Sequence, residues 1–213
     1  MSSGKKFNVV INSGGTIMNK KSLSAALILG VMLASSQLMA DSQDPAMLSH
    51  TCAGCHGTFG ASAGDSMPII GGQPKVFLKQ AMLSYKEGKR HSTIMQRLAK
   101  GYDEAQIDVM ANFISSQPWV SADVKIDREK ANKGKQMHTT KGCGGCHGAK
   151  GISAAPNTPR LAGQYPEYLF IQMRYYINPQ IAIPSSAKVM RSMLKGASDD
   201  DLRALAEFYA SQK

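Results

Sequence analysis

The sequence predicts an all-α protein built from two tandem copies of one unit. Three observations carry this: a cysteine–histidine motif occurs twice, the segments after it match in order, and apolar residues recur with helical period. The motifs are Cys52-Ala-Gly-Cys55-His56 and Cys143-Gly-Gly-Cys146-His147, and they use all four cysteines. Downstream, Pro68-Ile-Ile-Gly-Gly-Gln73 answers Pro159-Arg-Leu-Ala-Gly-Gln164. Ile94–Gly101 answers Val189–Gly196, and Ala111–Gln117 answers Ala206–Gln212. Self-similarity of this kind outranks any local reading of structure. The second copy trails the first by 91 residues at the cysteines and by 95 at Met95 and Met190, so it carries four extra residues. The Ile177–Ala187 stretch, with Pro179 and Pro184, is the expected place for them.

The elements follow in order. Asp44-Pro45 reads as a helix N-cap with proline in the first turn. Phe77, Leu78, Ala81, Met82 and Tyr85 recur with helical spacing. Asp103 with Gln106 has the form of a capping box, followed by the apolar stripe Ile107, Met110, Ala111 and Ile114. Pro118 stops that helix, and the boundary between the copies falls at Gln117–Ser121. Ser198 with Asp199, Asp200 and Asp201 opens the last helix, where its dipole favours acids, and Leu202, Leu205, Ala206 and Tyr209 form its stripe. No run of alternating residues argues for strands. The expected domains are 41–118 and 127–213, joined by a linker over 119–126. Each unit has roughly eighty residues, a size at which side chains alone give a marginal core.

Residues 1–40 are expected to be a secretory signal. Lys20 and Lys21 precede an apolar run from Leu23 to Ala34, and Ala40 ends a small, polar cleavage region. The run is too short for a good membrane span, so the mature chain is expected to have no stable one. Met18 begins a normal signal and is the expected true start; initiation mapped to Met1 would overturn that. Removing residues 1–40, which hold Lys5, Lys6, Lys20 and Lys21 and no acid, takes the formal net charge from +10 to +6. Export to the periplasm argues against nucleic acid as the partner of this basic chain. A face that steers toward an acidic redox protein and an ordinary solvated surface are the two readings left.

Two cysteines separated by two residues, with histidine next, are the attachment signature of c-type haem. The thiols form thioethers to the haem vinyl groups, and the histidine lies beneath the iron. This assigns Cys52, Cys55 and His56 to one haem c and Cys143, Cys146 and His147 to a second. A thioredoxin-like site needs no such histidine and expects a βαβ context. A zinc site of four Cys and two His is the other competitor. For the sixth position Met95 and Met190 stand out among 13 methionines, because they occupy equivalent places in the two copies. A thioether ligand there raises the haem potential relative to a second histidine. His91 and Met193 are the competing ligands. The backbone carbonyls of Pro68 and Pro159 are placed either to accept the second ring N–H of the proximal histidine or to make a plain turn. His50 and His138 are expected at the surface. Tyr85 and Tyr176 match between copies and are expected to pack in the core or against haem.

On these residues the chain resembles the di-haem class I cytochromes c of the cytochrome c4 family over residues 45–213. It is also similar to the cytochrome subunit of flavocytochrome c sulfide dehydrogenase. The first unit carries the latter likeness in Cys52–Thr58, Ser62-Ala-Gly64 and Ser92-Thr-Ile-Met-Gln-Arg-Leu-Ala-Lys-Gly-Tyr102. The other unit is more similar to a general cytochrome c4 half, with Leu161-Ala-Gly-Gln164 and Asp200–Tyr209. The resemblance implies two class I cytochrome c folds packed about a pseudo-twofold axis. It implies His56 with Met95 and His147 with Met190 as axial pairs, and Pro68 and Pro159 as partners of the proximal histidines. It implies a separate FAD-containing flavoprotein subunit that oxidises sulfide, with a downstream cytochrome or terminal oxidase as acceptor. The alternative it carries is a free carrier donating to a terminal oxidase. No catalytic residue is expected on this chain, which has neither a dinucleotide-binding glycine fingerprint nor a spare redox cysteine. A haem enzyme would need an open sixth position, against which the two matched methionines argue.

Overall fold

Asp44 starts the first helix as its sequence requires: its carboxylate accepts from the backbone N–H groups of Ala46 and Met47, with Pro45 at the first helical position. The computed structural model describes residues 44–213. The expected signal, the cut after Ala40 and the start at Met18 lie outside the described residues. In the first unit, helices α1 (Pro45–His50), α2 (Ala53–His56), α3 (Lys75–Lys86), α4 (Met95–Leu98) and α5 (Glu104–Ser115) follow one another. In the second, α6 (Arg128–Thr140), α7 (Gly144–His147), α8 (Pro166–Ile177), α9 (Lys188–Met193) and α10 (Asp199–Ala210) repeat the order. Among the described residues there is no strand.

The repeat is metrical. Helix α8 is α3 shifted by 91 residues, and α10 is α5 shifted by 95, each twelve residues long. The four extra residues therefore enter between Ile177 and Met190. Arg191 braces this longer loop: its guanidinium donates to the carbonyls of Tyr176, Asn178 and Ile181 at 2.7 to 2.9 Å. Both closing helices carry reciprocal caps, Asp103 with Gln106 and Ser198 with Asp201. Their inner stripes are buried, with Ile107 and Leu202 fully so.

In each unit the closing helix packs against the first and the third, α5 on α1 and α3, α10 on α6 and α8. In the second, α10 crosses α6 so closely that a Cβ on Gly134 would lie 2.0 Å from the Ala204 carbonyl oxygen. Gly134→Ala should therefore force the helices apart and cost about 1–3 kcal/mol or more. Thermal denaturation of the haem-loaded protein checks this against Gly101→Ala, whose Cβ meets nothing within 4 Å. The second unit also has the larger core, Leu169, Phe170, Met173, Leu194, Leu202, Leu205, Phe208 and Tyr209 among it. Among the described residues of the first unit the buried cluster is Leu78, Ala111 and Ile114, with Ile107 and Met110 also buried.

The halves meet through a twofold exchange. The Gln164 side chain accepts from the Ile69 N–H and donates to the Ile69 carbonyl, both at 2.9 Å. The Gln73 side chain does the same with Arg160, again at 2.9 Å. Gln73 and Gln164 are equivalent in the repeat, and so are residues 69 and 160. A second pair of bonds obeys the same symmetry: Phe77 N–H to the Pro156 carbonyl and Tyr168 N–H to the Asp65 carbonyl. Ile69, Ala122 and Tyr165, with Trp119, Val124 and Tyr168, fill the space beside them. Gln164→Ala would orphan a buried backbone N–H and C=O, at about 1–3 kcal/mol for each group left unpaired. Chemical denaturation should show a lowered midpoint for this variant, and for Gln73→Ala alike.

Candidate functional site

The two motifs adopt one geometry. Cys52 and Cys143 precede a single helical turn that ends at His56 and His147, and Gly57 and Gly148 follow with φ of 72° and 70°. A side chain at either glycine would clash, since a Cβ would come within 2.2 Å of the Ala61 or Ile152 carbonyl oxygen. This forced left-handed step turns the chain away directly after the histidine and leaves the ring facing inward. Both histidines are buried, while Cys55 and Cys146 are exposed and Cys52 and Cys143 half-buried. The four thiols are free of disulfides. Burial pushes the Cys52 and Cys143 thiols above their ordinary range.

Both histidines face one hollow of about 1180 Å³. Protein interiors are otherwise close-packed, with few voids larger than a water molecule, so a hollow of this size marks the seat of a large occupant. It is lined by Cys52, Cys55, His56 and Met95 of the first unit and Cys143, Cys146, His147 and Met190 of the second. Among the described residues no Asp or Glu lines it. His91 and Met193 also reach it, so lining alone does not separate the sixth-ligand candidates. Their packing does. The His91 ring stacks edge-on against Tyr175 at 4.9 Å, and its backbone N–H bonds to the Ala182 carbonyl, drawing it to the junction of the units. Met190 packs against the buried core, whereas Met193 is 37% exposed and Leu98, its counterpart in the first unit, 51%.

The proximal histidines differ. His56 Nδ1 lies 2.8 Å from the Pro68 carbonyl oxygen. A carbonyl only accepts, so Nδ1 carries the proton and Nε2 is left with its lone pair free for a metal. Burial lowers the His56 pKa, against the opposing pull of that carbonyl, and so favours the neutral ring that ligation needs. His147 is also lowered, by burial and then by nearby His138. Its Nδ1, however, is buried with no hydrogen-bond partner. Pro159 lines the hollow but makes no bond to His147, unlike Pro68 with His56.

One expectation is overturned. His50 is exposed, but His138 is only 5% exposed. It shares the inner face of α6 with Ala131 and Gly134, and that face lies against α10. Its ring packs on Phe208, and its Nδ1 is 3.0 Å from the Tyr209 hydroxyl. The i, i+3, i+7 spacing of Ala131, Gly134 and His138 was the available signal. The paired glutamines were also passed over; the matched positions of Gln73 and Gln164 marked them as equivalent, but nothing local told of their bonds across the units.

No group of three or more His, Cys, Asp or Glu converges among the described residues, so the motifs do not gather into one zinc site. The cytochrome c family model matches residues 45–118 and again 131–213. The chain belongs to the cytochrome c family. It is 26% identical to the cytochrome c4 of Pseudomonas aeruginosa over 197 residues, covering 90% of this chain and 98% of that one. It is 40% identical to the cytochrome subunit of sulfide dehydrogenase of Chlorobaculum tepidum, over 70 residues, 33% of this chain and 63% of that one. Reduced cytochrome c4 from Pseudomonas stutzeri shares the fold with a TM-score of 0.72 at 21% identity, over 79% of this chain and 97% of the other. The fold is thus that of a di-haem cytochrome c4, all-α with two cytochrome c domains, and the chain is a cytochrome c4-like electron-transfer protein with two covalently bound haem c groups. The thiols, inward histidines and acid-free hollow fit that cofactor. Among the described residues no helix is long and apolar enough to cross a membrane.

Proposed function

We propose that this chain is the periplasmic cytochrome subunit that accepts electrons from an FAD-containing sulfide dehydrogenase subunit. The observation that carries the electron-transfer part is the hollow lined by both motifs within one compact unit, which would hold two haem groups. The partner is supported by the Ser92–Tyr102 segment and by the likeness to a sulfide dehydrogenase cytochrome subunit over a third of the chain.

Cys52, Cys55, Cys143 and Cys146 would hold the haem groups by thioethers, with His56 and Met95, and His147 and Met190, as axial pairs. The bound haem supplies reversible one-electron chemistry. The chain sets the conditions for it: it buries the imidazoles, holds the His56 tautomer through the Pro68 carbonyl, and excludes water with Leu78, Met110 and Leu205. The expected domains 41–118 and 127–213 then each serve one haem. Around each methionine the surface is apolar and basic: Ile94 and Leu98 with Arg97 and Lys100, and Val189 and Met193 with Lys188 and Lys195, all exposed. Such a surface suits an acidic protein partner, which it would steer over a distance of a Debye length.

Gentle affinity purification from the native host tests the proposal. A flavoprotein at equal stoichiometry that reduces the haems when sulfide is added is the expected result. A flavin-free di-haem protein would overturn it in favour of a free carrier delivering to an oxidase, the reading that the end-to-end likeness to cytochrome c4 favours. Rapid carbon monoxide uptake at one reduced haem would point instead to an open sixth position.

A further inference from the structure

Tyr209 is a buried phenol in the wall of the second haem site, and the axial ligands make no use of it. It stands on α10, is 4% exposed, and lines the hollow together with Cys143 and His147. Its ring fits there because residue 151 is glycine: a Cβ at that position would lie 2.7 Å from the ring. The ring centre is 6.4 Å from that of His147. The hydroxyl has a neighbour on either side. One is His138 Nδ1, at 3.0 Å. The other is the Cys143 sulfur, and hydroxyl and thiol each shift the other's acidity. His138 is fixed in turn, with its ring on Phe208 and its Nε2 only 3.2 Å from where a Cβ on Gly144 of the motif would stand. The first unit has no such pair. Ile114 takes the place of Tyr209 at the offset of 95, and the histidine of α1, His50, is exposed.

Chemistry decides which partner donates in the bond between Tyr209 and His138. Burial disfavours the charged ring of His138, so it is neutral with one nitrogen free to accept. A phenol, with an ordinary pKa of about 10, is a far stronger acid than the N–H of a neutral imidazole, and the imidazole nitrogen is the better acceptor. The Tyr209 hydroxyl therefore donates to His138 Nδ1, and its oxygen lone pairs are left toward Cys143. A free Cys143 thiol has a hydrogen to offer that oxygen; a thioether has none. Once the sulfur is joined to haem, the negative end of the hydroxyl dipole faces it unanswered. In a buried setting such a fixed dipole acts strongly, and it favours the more positive, oxidised iron. We propose that His138 orients the Tyr209 hydroxyl, and that the pair holds the potential of the second haem below the value an apolar wall would give. His138 and Tyr209 are thus positioning residues for one haem of the two. The inference rests on the two bound haems and not on the identity of the redox partner.

The test uses the full haem-loaded chain, with Tyr209→Phe, His138→Phe and the double variant. Two haems per wild-type chain, counted by absorbance, first establish the cofactor itself; their absence would remove that basis rather than speak to Tyr209. Redox titration of Tyr209→Phe should show one midpoint potential raised by about a threefold shift in reduction equilibrium, about 28 mV at about 59 mV per tenfold for one electron, and the other unmoved. His138→Phe should raise the same potential by at least as much, because the hydroxyl loses its acceptor and turns its hydrogen toward the sulfur. The double variant should match Tyr209→Phe, since His138 acts through the hydroxyl. Additive shifts would show two independent effects and overturn the pairing. A purely structural role would lower the melting temperature and leave both potentials in place; that result, or a fall in potential, overturns the proposal. Should the variants fail to load haem, the reduced wild-type holoprotein decides by the nitrogen NMR shifts of His138. An unprotonated Nδ1 is expected, and a protonated Nδ1 overturns the orientation on which the proposal stands.

Discussion

Replacing Met190 with alanine should lower the potential of one haem by well over a tenfold change in its reduction equilibrium, at about 59 mV per tenfold for one electron, and leave the other near its wild-type value. A thioether sulfur favours the reduced iron relative to nitrogen or water ligands, so its removal is felt first as a potential. The geometry makes the effect local: Met190 packs against the core of the second unit, and Met95 lines the hollow from the first. Met95→Ala should therefore shift the other haem. Met193→Ala and His91→Ala are the informative companions. Met193 is half-exposed and His91 is committed to Tyr175 at the junction, so neither should reproduce the drop. Redox titration followed in the visible spectrum reads all four. Unchanged potentials in Met190→Ala would end its assignment, and a drop in Met193→Ala would transfer it.

The double substitution Cys52→Ser with Cys55→Ser should halve the covalent haem content and unfold the first unit. A hollow of about 1180 Å³ serves both sites. At about 24 cal/mol per Å³ of unfilled cavity, half of it rivals the roughly 5–15 kcal/mol that a whole domain has to lose. The units are not expected to suffer equally. Among the described residues the first has Leu78, Ala111 and Ile114 as its buried cluster, whereas the second keeps Leu169, Phe170, Leu202, Leu205, Phe208 and others around α10. Cys143→Ser with Cys146→Ser should therefore retain more helical circular dichroism and a higher melting temperature than the first pair. Equal losses would show that haem contributes alike to both cores. Thioether-linked haem, measured under denaturing conditions, distinguishes lost attachment from lost structure.

The fold was legible because its signals are local and doubled. Asp44-Pro45, Asp103 with Gln106, and Ser198 with Asp201 cap helices through contacts three residues long, and the helices of the first unit recur in the same order in the second. The two haem c groups were legible for the same reason, as five consecutive residues carry each expected attachment motif. What escaped the sequence depends on long separations. Nothing near Gln164 announces a bond to residue 69, and nothing near Arg90 announces that its guanidinium bonds to Gln172 of α8. His138 was misplaced because a histidine in a helix rich in lysine resembles a solvated one; the small residues Ala131 and Gly134 on its face, which admit α10, were the overlooked cue. The difference between His56 and His147 was likewise hidden, since Pro68 and Pro159 stand in matching places and only one carbonyl meets its ring.

The glutamine exchange between the units has a consequence for descent. Each glutamine amide reads only the N–H and C=O of the facing residue, and every residue except proline offers the same two groups. Positions 69 and 160 have accordingly diverged to isoleucine and arginine, as unlike as two side chains can be, while the bonds on both sides remain at 2.9 Å. A duplicated protein joined this way is free to let its halves drift apart in surface and in redox environment without renegotiating how they dock. The asymmetry at the proximal histidines is a change that such a joint tolerates.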